Sequence, residues 1–165
     1  MSVPLSCRAF EGYNTRMFTE LTASNVLNMD CDAIAHGVNM KGSMAGGIAR
    51  QIALVYPKAE ETYMKYCKEE LCRLGGCLPI PINVGEPMGP HTLYNLFTQI
   101  MPGKDARLSA IDVSLKRMNE HALENGIHKI VMPQIGCGIG GLSWEDVKPI
   151  MEANSEGLSY IVCTL

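Results

Sequence analysis

The stretch I-V-M-P-Q-I-G-C-G-I-G-G-L-S-W-E-D, residues 130–146, carries the strongest structural signal in the sequence. An apolar run ends at Pro133 and is followed by a loop with four glycines. Ser143 then precedes a segment with two acidic residues in its first turn. A strand, a glycine loop and a capped helix in this order predict a nest of backbone N–H groups facing a helix N-terminus, which attracts phosphate. A tight strand-to-helix turn that binds nothing remains the alternative.

The loop also satisfies the pattern G-x-G-x-x-G, through Gly136, Gly138 and Gly141. In dinucleotide-binding domains this motif belongs to the first βαβ unit. Here only 24 residues follow Gly141, which is too few for the remaining elements of such a domain. The motif therefore indicates a phosphate-binding loop without indicating a nicotinamide cofactor, and we expect no cofactor.

Composition limits the class of protein. The 165 residues predict a single domain, 1–165, with residues 1–16 as an N-terminal arm, and 47% apolar with 19% charged residues is typical of a globular protein. A net charge of −3 without a basic run argues against nucleic-acid binding, and no apolar run is long enough to span a membrane. We expect no signal peptide and read the seven scattered cysteines as reduced, in a cytoplasmic protein.

Hydrophobic periodicity predicts alternating strands and helices. The predicted strands cover 17–21, 32–38, 77–84, 92–100, 128–132 and 158–164, and the predicted helices cover 48–55, 59–71, 105–125 and 143–153. Residues 22–29 are polar and turn-like. Pro79 and Pro81 place the third strand at an edge of the sheet. This alternation predicts an α/β fold, a three-layer α/β/α sandwich with a mostly parallel sheet.

A second glycine-rich loop, N-M-K-G-S-M-A-G-G at 39–47, also follows a buried strand and precedes a helix. In parallel sheets, ligands bind outside the carboxyl ends of the strands. We therefore expect both loops on the same side of the sheet, facing one crevice. Two such loops suit a ligand with two phosphates, or with a phosphate and a sugar.

Two polar residues at the end of the second strand are candidate site residues. His36 could donate to a sugar or phosphate, or act as a general acid or base, and the alternative is a buried histidine bonded to the backbone. The amide of Asn39 could hold a ribose hydroxyl, and the alternative is a turn-forming asparagine. Cys137 lacks the downstream arginine of a cysteine phosphatase and is interpreted as a packing residue. Cysteine and histidine spacing gives no metal motif.

Four segments together resemble the macrodomain family, in the same order and spacing. They are D-A-I-A-H-G-V-N (32–39), G-S-M-A-G-G-I-A-R-Q-I-A (42–53), Y-P-K-A-E (56–60) and M-P-Q-I-G-C-G-I-G-G-L-S-W-E-D-V (132–147). The chain is most similar to the branch that contains the ADP-ribose 1″-phosphate phosphatases, a branch whose L-F-T appears at 96–98. It also resembles the branch that removes ADP-ribose from acidic side chains.

The resemblance implies a mixed sheet between helices and a ligand of the ADP-ribose type. Asn39 would hold the distal ribose, and His36 matches a histidine that is implicated in catalysis in the phosphatase branch. Two loops would wrap the diphosphate and distal ribose, through Ser43, Met44, Ala45, Gly46, Gly47 and Ile48 in one loop and Gly136, Cys137, Gly138, Ile139, Gly140 and Gly141 in the other.

The sequence departs from the family pattern at three places. Ser24 stands where most members have an adenine-binding aspartate, and Asn25 could substitute for it. Gly140 stands where the acidic-residue branch has its catalytic aspartate, and residues 77–84 contain no lysine to partner it. An aromatic residue that stacks on adenine in many members would fall near Cys163 and is missing.

These features lead to a hydrolase that acts on the distal end of ADP-ribose derivatives without a metal, most simply by removing the 1″-phosphate. A non-catalytic ADP-ribose reader uses the same residues and is the main alternative. A hydrolase that removes ADP-ribose without the lysine–aspartate pair, and a scaffold whose loops face a protein partner, are further alternatives.

Overall fold

Six strands and four helices alternate along residues 17–164, the part of the chain that this computed structural model describes. The predicted arm at 1–16 lies outside the described residues. In chain order the elements are β1 (Met17–Thr22), β2 (Ala33–Val38), α1 (Gly47–Val55), α2 (Pro57–Lys68), β3 (Cys77–Pro81), β4 (Thr92–Phe97), α3 (Leu108–Glu124), β5 (Lys129–Pro133), α4 (Trp144–Asn154) and β6 (Ser159–Thr164).

The strands form one sheet in the order β1-β6-β5-β2-β4-β3. All neighbouring pairs are parallel except β3 and β4, which are antiparallel. The predicted mixed, mostly parallel sheet is thus confirmed. β3 lies at an edge of the sheet, as Pro79 and Pro81 predicted, because an edge strand tolerates residues that cannot donate to the ladder.

Both faces of the sheet are covered, and β2 shows how the sequence achieves this. Successive side chains of a strand point to opposite faces. Ala33 and Ala35 pack in one apolar cluster with α3 and α4, whereas Ile34 and Val38 pack in the other with α1 and α2. A strand buried on both faces reads as a nearly continuous apolar run, and 33–38 has this pattern with His36 as its one polar residue. The three-layer sandwich predicted from the sequence is confirmed.

Two segments differ from the predicted boundaries. α2 begins at Pro57 rather than at residue 59, and proline suits this first position because its missing N–H needs no partner. The predicted turn at 22–29 contains a short 3₁₀ helix, Val26–Asn28, that the side chain of Asn25 caps.

β4 and α3 are both shorter than predicted, and one aspartate explains both differences. The carboxylate of Asp105 accepts the backbone N–H groups of Ile100 and Met101, at 2.9 Å each. These bonds hold residues 98–107 as a loop between β4 and α3. They also lower the pKa of Asp105, with Met101 N–H as the largest cause. The helix therefore begins at Leu108 rather than at Asp105.

The structure of residues 17–164 bears on two expectations from composition, the lack of a membrane span and the reduced state of the cysteines. No helix in this range is long and apolar enough to cross a membrane. Six of the seven cysteines lie in the range, and all six are free thiols. The seventh, Cys7, lies outside the described residues.

A chain of polar contacts ties β6 to the two helices that cover its face of the sheet. The hydroxyl of Tyr160, whose ring is fully buried, donates to Asn119 Oδ1 at 2.5 Å. Asn119 Nδ2 donates to the backbone oxygen of Asn154 at 2.6 Å, and Asn154 Nδ2 donates to Asp112 Oδ1 at 2.9 Å. The network thus fixes the position of α3 against α4 and β6.

We predict that Tyr160→Phe lowers the free energy of unfolding by about 1–2 kcal/mol, because it leaves Asn119 Oδ1 without its donor. Urea denaturation followed by circular dichroism measures this difference. Tyr56→Phe is the matched control, since the Tyr56 hydroxyl has only a 3.4 Å contact with Asn83. Equal unfolding midpoints for the wild type and Tyr160→Phe would contradict the prediction.

Candidate functional site

A cavity of about 490 Å³ lies at the carboxyl ends of the central parallel strands. Its wall is made by the ends of β2, β4, β5 and β6 and by the loops that follow the first three of these strands. Both glycine loops predicted to face one crevice line this cavity. The expectation that they lie on the same side of the sheet is therefore confirmed.

Asn39 organises the first loop. Its Oδ1 accepts the backbone N–H groups of Lys41 and Ser43, at 3.0 and 3.3 Å, and its Nδ2 donates to the backbone oxygen of Ser43 at 2.9 Å. The buried hydroxyl of Tyr63, on α2, donates to the backbone oxygen of Asn39 at 2.6 Å. Asn39 therefore forms a turn, which was the structural alternative given from the sequence, and it also lines the cavity.

The first loop brings backbone N–H groups and a helix N-terminus to the cavity. Five of its six predicted ligand residues line the wall, namely Ser43, Ala45, Gly46, Gly47 and Ile48. The sixth, Met44, is buried in the apolar core and does not line the cavity. Gly46 is the N-cap of α1, so the free N–H groups of the first turn point toward the cavity and favour an anion there.

The second loop contributes Gly136, Gly138, Ile139 and Gly140 to the wall. Gly136 has a φ of +78°, a left-handed angle that favours glycine. Cys137 and Gly141 do not line the cavity. The Cys137 side chain packs against the core and burial raises its pKa to about 11, which agrees with a packing role.

Only one of the two helices that follow the glycine loops places its N-terminus at the cavity. Ser143 caps α4 by accepting the N–H of Glu145, at 3.3 Å, and the first turn of α4 contains Glu145 and Asp146. Neither Ser143 nor the first turn of α4 lines the cavity. The expectation of a helix N-terminus at the crevice therefore fits α1 and not α4.

Ile139 joins the two loops across the mouth of the cavity. A Cβ atom at Gly46 would lie 2.8 Å from Ile139 Cδ1, and one at Gly47 would lie 3.3 Å from it. The Ile139 side chain is nevertheless 54% exposed. It therefore bridges the loops from outside rather than as part of the core.

His36 lies below the cavity, and the structure fixes its tautomer. The Nδ2 of Asn95 donates to the backbone oxygen of Leu78, so Asn95 Oδ1 is free to accept from His36 Nε2, at 2.8 Å. His36 Nε2 therefore carries the proton, and its fully buried Nδ1 has no partner among the described residues. Burial lowers the pKa of His36 to about 4, so the ring is neutral.

Ser24 and Asn25, predicted as adenine contacts, do not line the cavity either. Asn25 Oδ1 accepts the N–H of Leu27, at 2.9 Å, and Ser24 Oγ donates to the backbone oxygen of Thr22, at 3.0 Å. The backbone N–H of Ser24 also donates to the oxygen of Thr164, which does line the cavity. Ser24 is therefore one contact removed from the cavity wall, whereas the side chain of Asn25 caps the 3₁₀ helix.

A third loop, after β4, was not assigned to the site from the sequence. Thr98, Gln99, Pro102 and Gly103 line the cavity. Thr98 Oγ1 is buried without a partner among the described residues, and Gln99 Nε2 donates to the backbone oxygens of Met101 and Gly103, at 2.7 and 2.9 Å. The signal that could have found them is the parallel pairing of β4 with β2, which brings both strand ends to one edge.

The cavity is lined by dipoles rather than by charges. Within residues 17–164 no Asp, Glu, Lys, Arg or His side chain lines it. Its one ionisable lining group in that range is the thiol of Cys163, whose pKa is raised by burial. Over the same residues no group of three or more His, Cys, Asp or Glu side chains is placed to hold a metal ion. The chemistry available at the wall is therefore hydrogen bonding from amides, hydroxyls and helix N–H groups.

Two curated relatives of this chain are enzymes whose names refer to ADP-ribose. The DNA ADP-ribosyl glycohydrolase of Mycobacterium tuberculosis is 31% identical over 126 residues, which cover 76% of this chain but only 35% of that protein. The chain therefore spans about a third of that relative. The ADP-ribose 1″-phosphate phosphatase of Saccharomyces cerevisiae is 28% identical over 160 residues, which cover 80% of this chain and 89% of that protein.

The fold is similar to that of a solved macrodomain, and most of the chain matches one family model. The macrodomain of Mycobacterium tuberculosis DarG superposes with a TM-score of 0.81 at 27% identity, over 91% of this chain and 99% of that chain. The Macro domain model matches residues 35–151, which contain both glycine loops and the strands β3, β4 and β5 between them. The resemblance seen in the sequence is confirmed, and the chain belongs to the Macro domain family.

Proposed function

We propose that the chain binds ADP-ribose or a derivative in the 490 Å³ cavity and hydrolyses its distal end, with release of the 1″-phosphate as the favoured reaction. The observation that carries the proposal is the convergence of two glycine loops, the N-terminus of α1 and Asn39 on one cavity. The yeast phosphatase supports this reaction because it is 28% identical to this chain in a match that covers 89% of that protein.

The arrangement suggests how the ligand would be held. The diphosphate would accept hydrogen bonds from the N–H groups at the start of α1 and in the Gly136–Gly140 loop. Nδ2 of Asn39 has a second N–H beyond the one that binds Ser43, and it would donate to a ribose hydroxyl. Ile139 would cover the bound diphosphate from the solvent side.

Hydrolysis in this cavity would depend on orientation and electrostatic stabilisation. The N–H groups would stabilise the charge that develops on the transferred phosphate, and Thr98 Oγ1 and Gln99 would position the attacking water. With no charged side chain on the described part of the wall, the phosphate oxygens themselves would accept the proton of that water. The proton would pass to the ribose oxygen as its bond to phosphorus breaks. We assign His36 a positioning role, because its bond to Asn95 fixes the ends of β2 and β4 from below.

Two other functions have specific support. The uncharged wall favours a non-catalytic ADP-ribose-binding module, which needs affinity but no acid or base. The mycobacterial relative supports removal of ADP-ribose from a macromolecule, by a route that does not use a lysine–aspartate pair, since Gly140 occupies the aspartate position and β3 contains no lysine.

We predict that the wild-type protein releases inorganic phosphate from ADP-ribose 1″-phosphate, as a growing signal in a phosphorus NMR time course. Asn39→Asp should slow this release at least about tenfold, because it keeps the acceptor for Lys41 and Ser43 but loses the Nδ2 donor and adds a charge that repels phosphate.

The same spectra separate the alternatives. Shifted diphosphate signals without phosphate release would favour the binding module. If free ADP-ribose appeared instead from an ADP-ribosylated oligonucleotide or protein assayed in parallel, the glycohydrolase would be favoured. Unchanged spectra in every sample would contradict an ADP-ribose-type ligand.

We predict that Gly138→Val abolishes binding of ADP-ribose without loss of stability. A Cβ atom at Gly138 meets no other atom within 4 Å, and the residue lines the cavity, so the new side chain would occupy ligand space only. Isothermal titration calorimetry measures the affinity and thermal unfolding measures the stability. Ala153→Val, on the exposed side of α4, is the control. Normal affinity in Gly138→Val would show that the ligand binds elsewhere.

We predict that stability falls as pH drops from about 6.5 to about 4, partly because of His36. Its pKa is lowered to about 4 in the fold from an ordinary value of 6.5. Between these values the unfolded chain binds a proton that the folded chain does not, which destabilises the fold by up to about 3 kcal/mol at the lower end.

The measurement is urea denaturation at several pH values. His36→Gln, which can still donate to Asn95, should be less sensitive to acid over this range. His128→Gln is the matched control because His128 is exposed. If the wild type and His36→Gln lose stability in parallel between pH 6.5 and 4, the assignment of a neutral, buried His36 is wrong.

A further inference from the structure

A pair of cysteines at the end of α2 lies outside the ligand cavity. Cys67 belongs to the last turn of α2, and Cys72 lies four residues beyond the end of that helix. Their Sγ atoms are 3.1 Å apart, with the Cys72 thiol donating to Cys67. A disulfide bond is about 2.05 Å long, so the two atoms need to approach by only about 1 Å to form one.

The backbone between the two cysteines holds them in this position. The N–H of Glu70 donates to the oxygen of Cys67 at 3.0 Å, and the N–H of Leu71 donates to the oxygen of Tyr66 at 3.2 Å. Glu70 has a φ of +59°, and this turn directs the chain back to the helix. The close approach of the two sulfurs is thus fixed by main-chain hydrogen bonds on both sides of the turn.

Both cysteines line a second cavity, of about 750 Å³, which shares no lining residue with the ligand cavity. The wall also contains Lys41, Lys65 and Lys68, opposed by Glu70 as its one acidic lining residue in the described chain. Three lysines beside two half-buried thiols attract an anionic reagent. The volume is in the range of small-molecule sites.

The two thiols are not equivalent. Burial, the hydrogen bond to Cys67 and the charge of Cys67 together raise the pKa of Cys72 to about 12. Cys72 therefore remains the protonated donor, and Cys67, which accepts that proton's hydrogen bond, is the sulfur that reacts first. Two of the three effects on Cys72 depend on Cys67 and disappear once Cys67 is bonded to another sulfur.

We propose that Cys67 and Cys72 form a reversible dithiol–disulfide couple that exchanges with a small anionic disulfide of the glutathione class in the lysine-lined cavity. The Cys67 thiolate attacks one sulfur of the small disulfide, whose S–S bond breaks and releases one small thiolate. Cys72 then loses its proton to that leaving group and attacks Cys67 Sγ, which releases the second small thiolate. This thiolate takes up from the solvent the proton that Cys67 lost when it became a thiolate. Two protein thiols are oxidised and one small disulfide is reduced to two thiols.

The couple adjoins the loop that carries Asn39 but is independent of the proposed function. A Cβ atom at Gly42, in that loop, would lie 3.5 Å from Cys67 Cβ, so α2 and the loop are in contact at the reactive cysteine. The exchange reaction itself involves no residue of the ligand cavity. It can therefore be tested whether or not the chain binds ADP-ribose.

The test equilibrates the full chain in buffers with increasing ratios of oxidised to reduced glutathione, blocks free thiols with iodoacetamide, and maps the products by mass spectrometry. Trypsin cuts after Lys65, Lys68 and Arg73, so the two cysteines fall in separate peptides, 66–68 and 69–73. We expect these peptides to appear as one disulfide-linked species that replaces both alkylated peptides together, and to revert in reduced glutathione.

Two variants sharpen the test. Cys72→Ser should leave Cys67 as a stable mixed disulfide with glutathione, because the second attack is lost. Cys77→Ser is the matched control and should leave the 67–72 linkage unchanged, since Cys77 lies in β3 and does not line the cavity. The proposal is overturned if both peptides stay fully alkylated at the most oxidising ratio, if Cys67 links to a different cysteine, or if wild-type Cys67 retains glutathione.

Discussion

The parallel pairing of β2 with β4 on one side and β5 on the other is the constraint on which the site depends. It places the three loops that follow these strands around one cavity. Both faces of β2 are buried, so a one-residue slip would exchange Ala33 and Ala35 with Ile34 and His36 between two different cores. Gly37 adds a steric restriction, because a Cβ atom there would lie 2.8 Å from Thr98 Oγ1. The register of the central strands therefore fixes which backbone groups line the cavity.

Asn39 converts this strand geometry into a binding surface. Its side chain forms hydrogen bonds with backbone groups of Lys41 and Ser43. The hydroxyl of Tyr63, on α2, donates to the backbone oxygen of Asn39. Each of these bonds contributes only about 1 kcal/mol to stability, but together they set the loop before any ligand arrives. The N–H groups of α1 are thus preorganised, and a wall without charged groups in its described part can still attract an anion.

The sequence predicted the features that have local signatures, namely the alternating elements, the edge position of β3 and both glycine loops. It did not predict Thr98 and Gln99, because a threonine and a glutamine after a strand are ordinary residues, and only the strand order reveals their neighbours. It expected a helix N-terminus beside each loop, whereas only that of α1 lines the cavity, because a capping serine and first-turn acids mark where a helix begins but not where its N-terminus points. His36 shares its face of β2 with Ile34 and Val38, and that alternation indicates burial more strongly than chemistry.

Among residues 17–164, two buried side-chain atoms lack a hydrogen-bond partner, and they lie at the ends of two paired strands. His36 Nδ1 is an acceptor near the end of β2, and Thr98 Oγ1 follows β4 directly. An unsatisfied buried polar group costs about 1–3 kcal/mol, so proteins keep few of them. Only Thr98 belongs to the cavity wall, which gives its hydroxyl a partner once a ligand or water is bound. His36 does not line that wall, and its neutral ring holds the strand ends through its bond to Asn95, at a fully buried position where a charged ring would be destabilising.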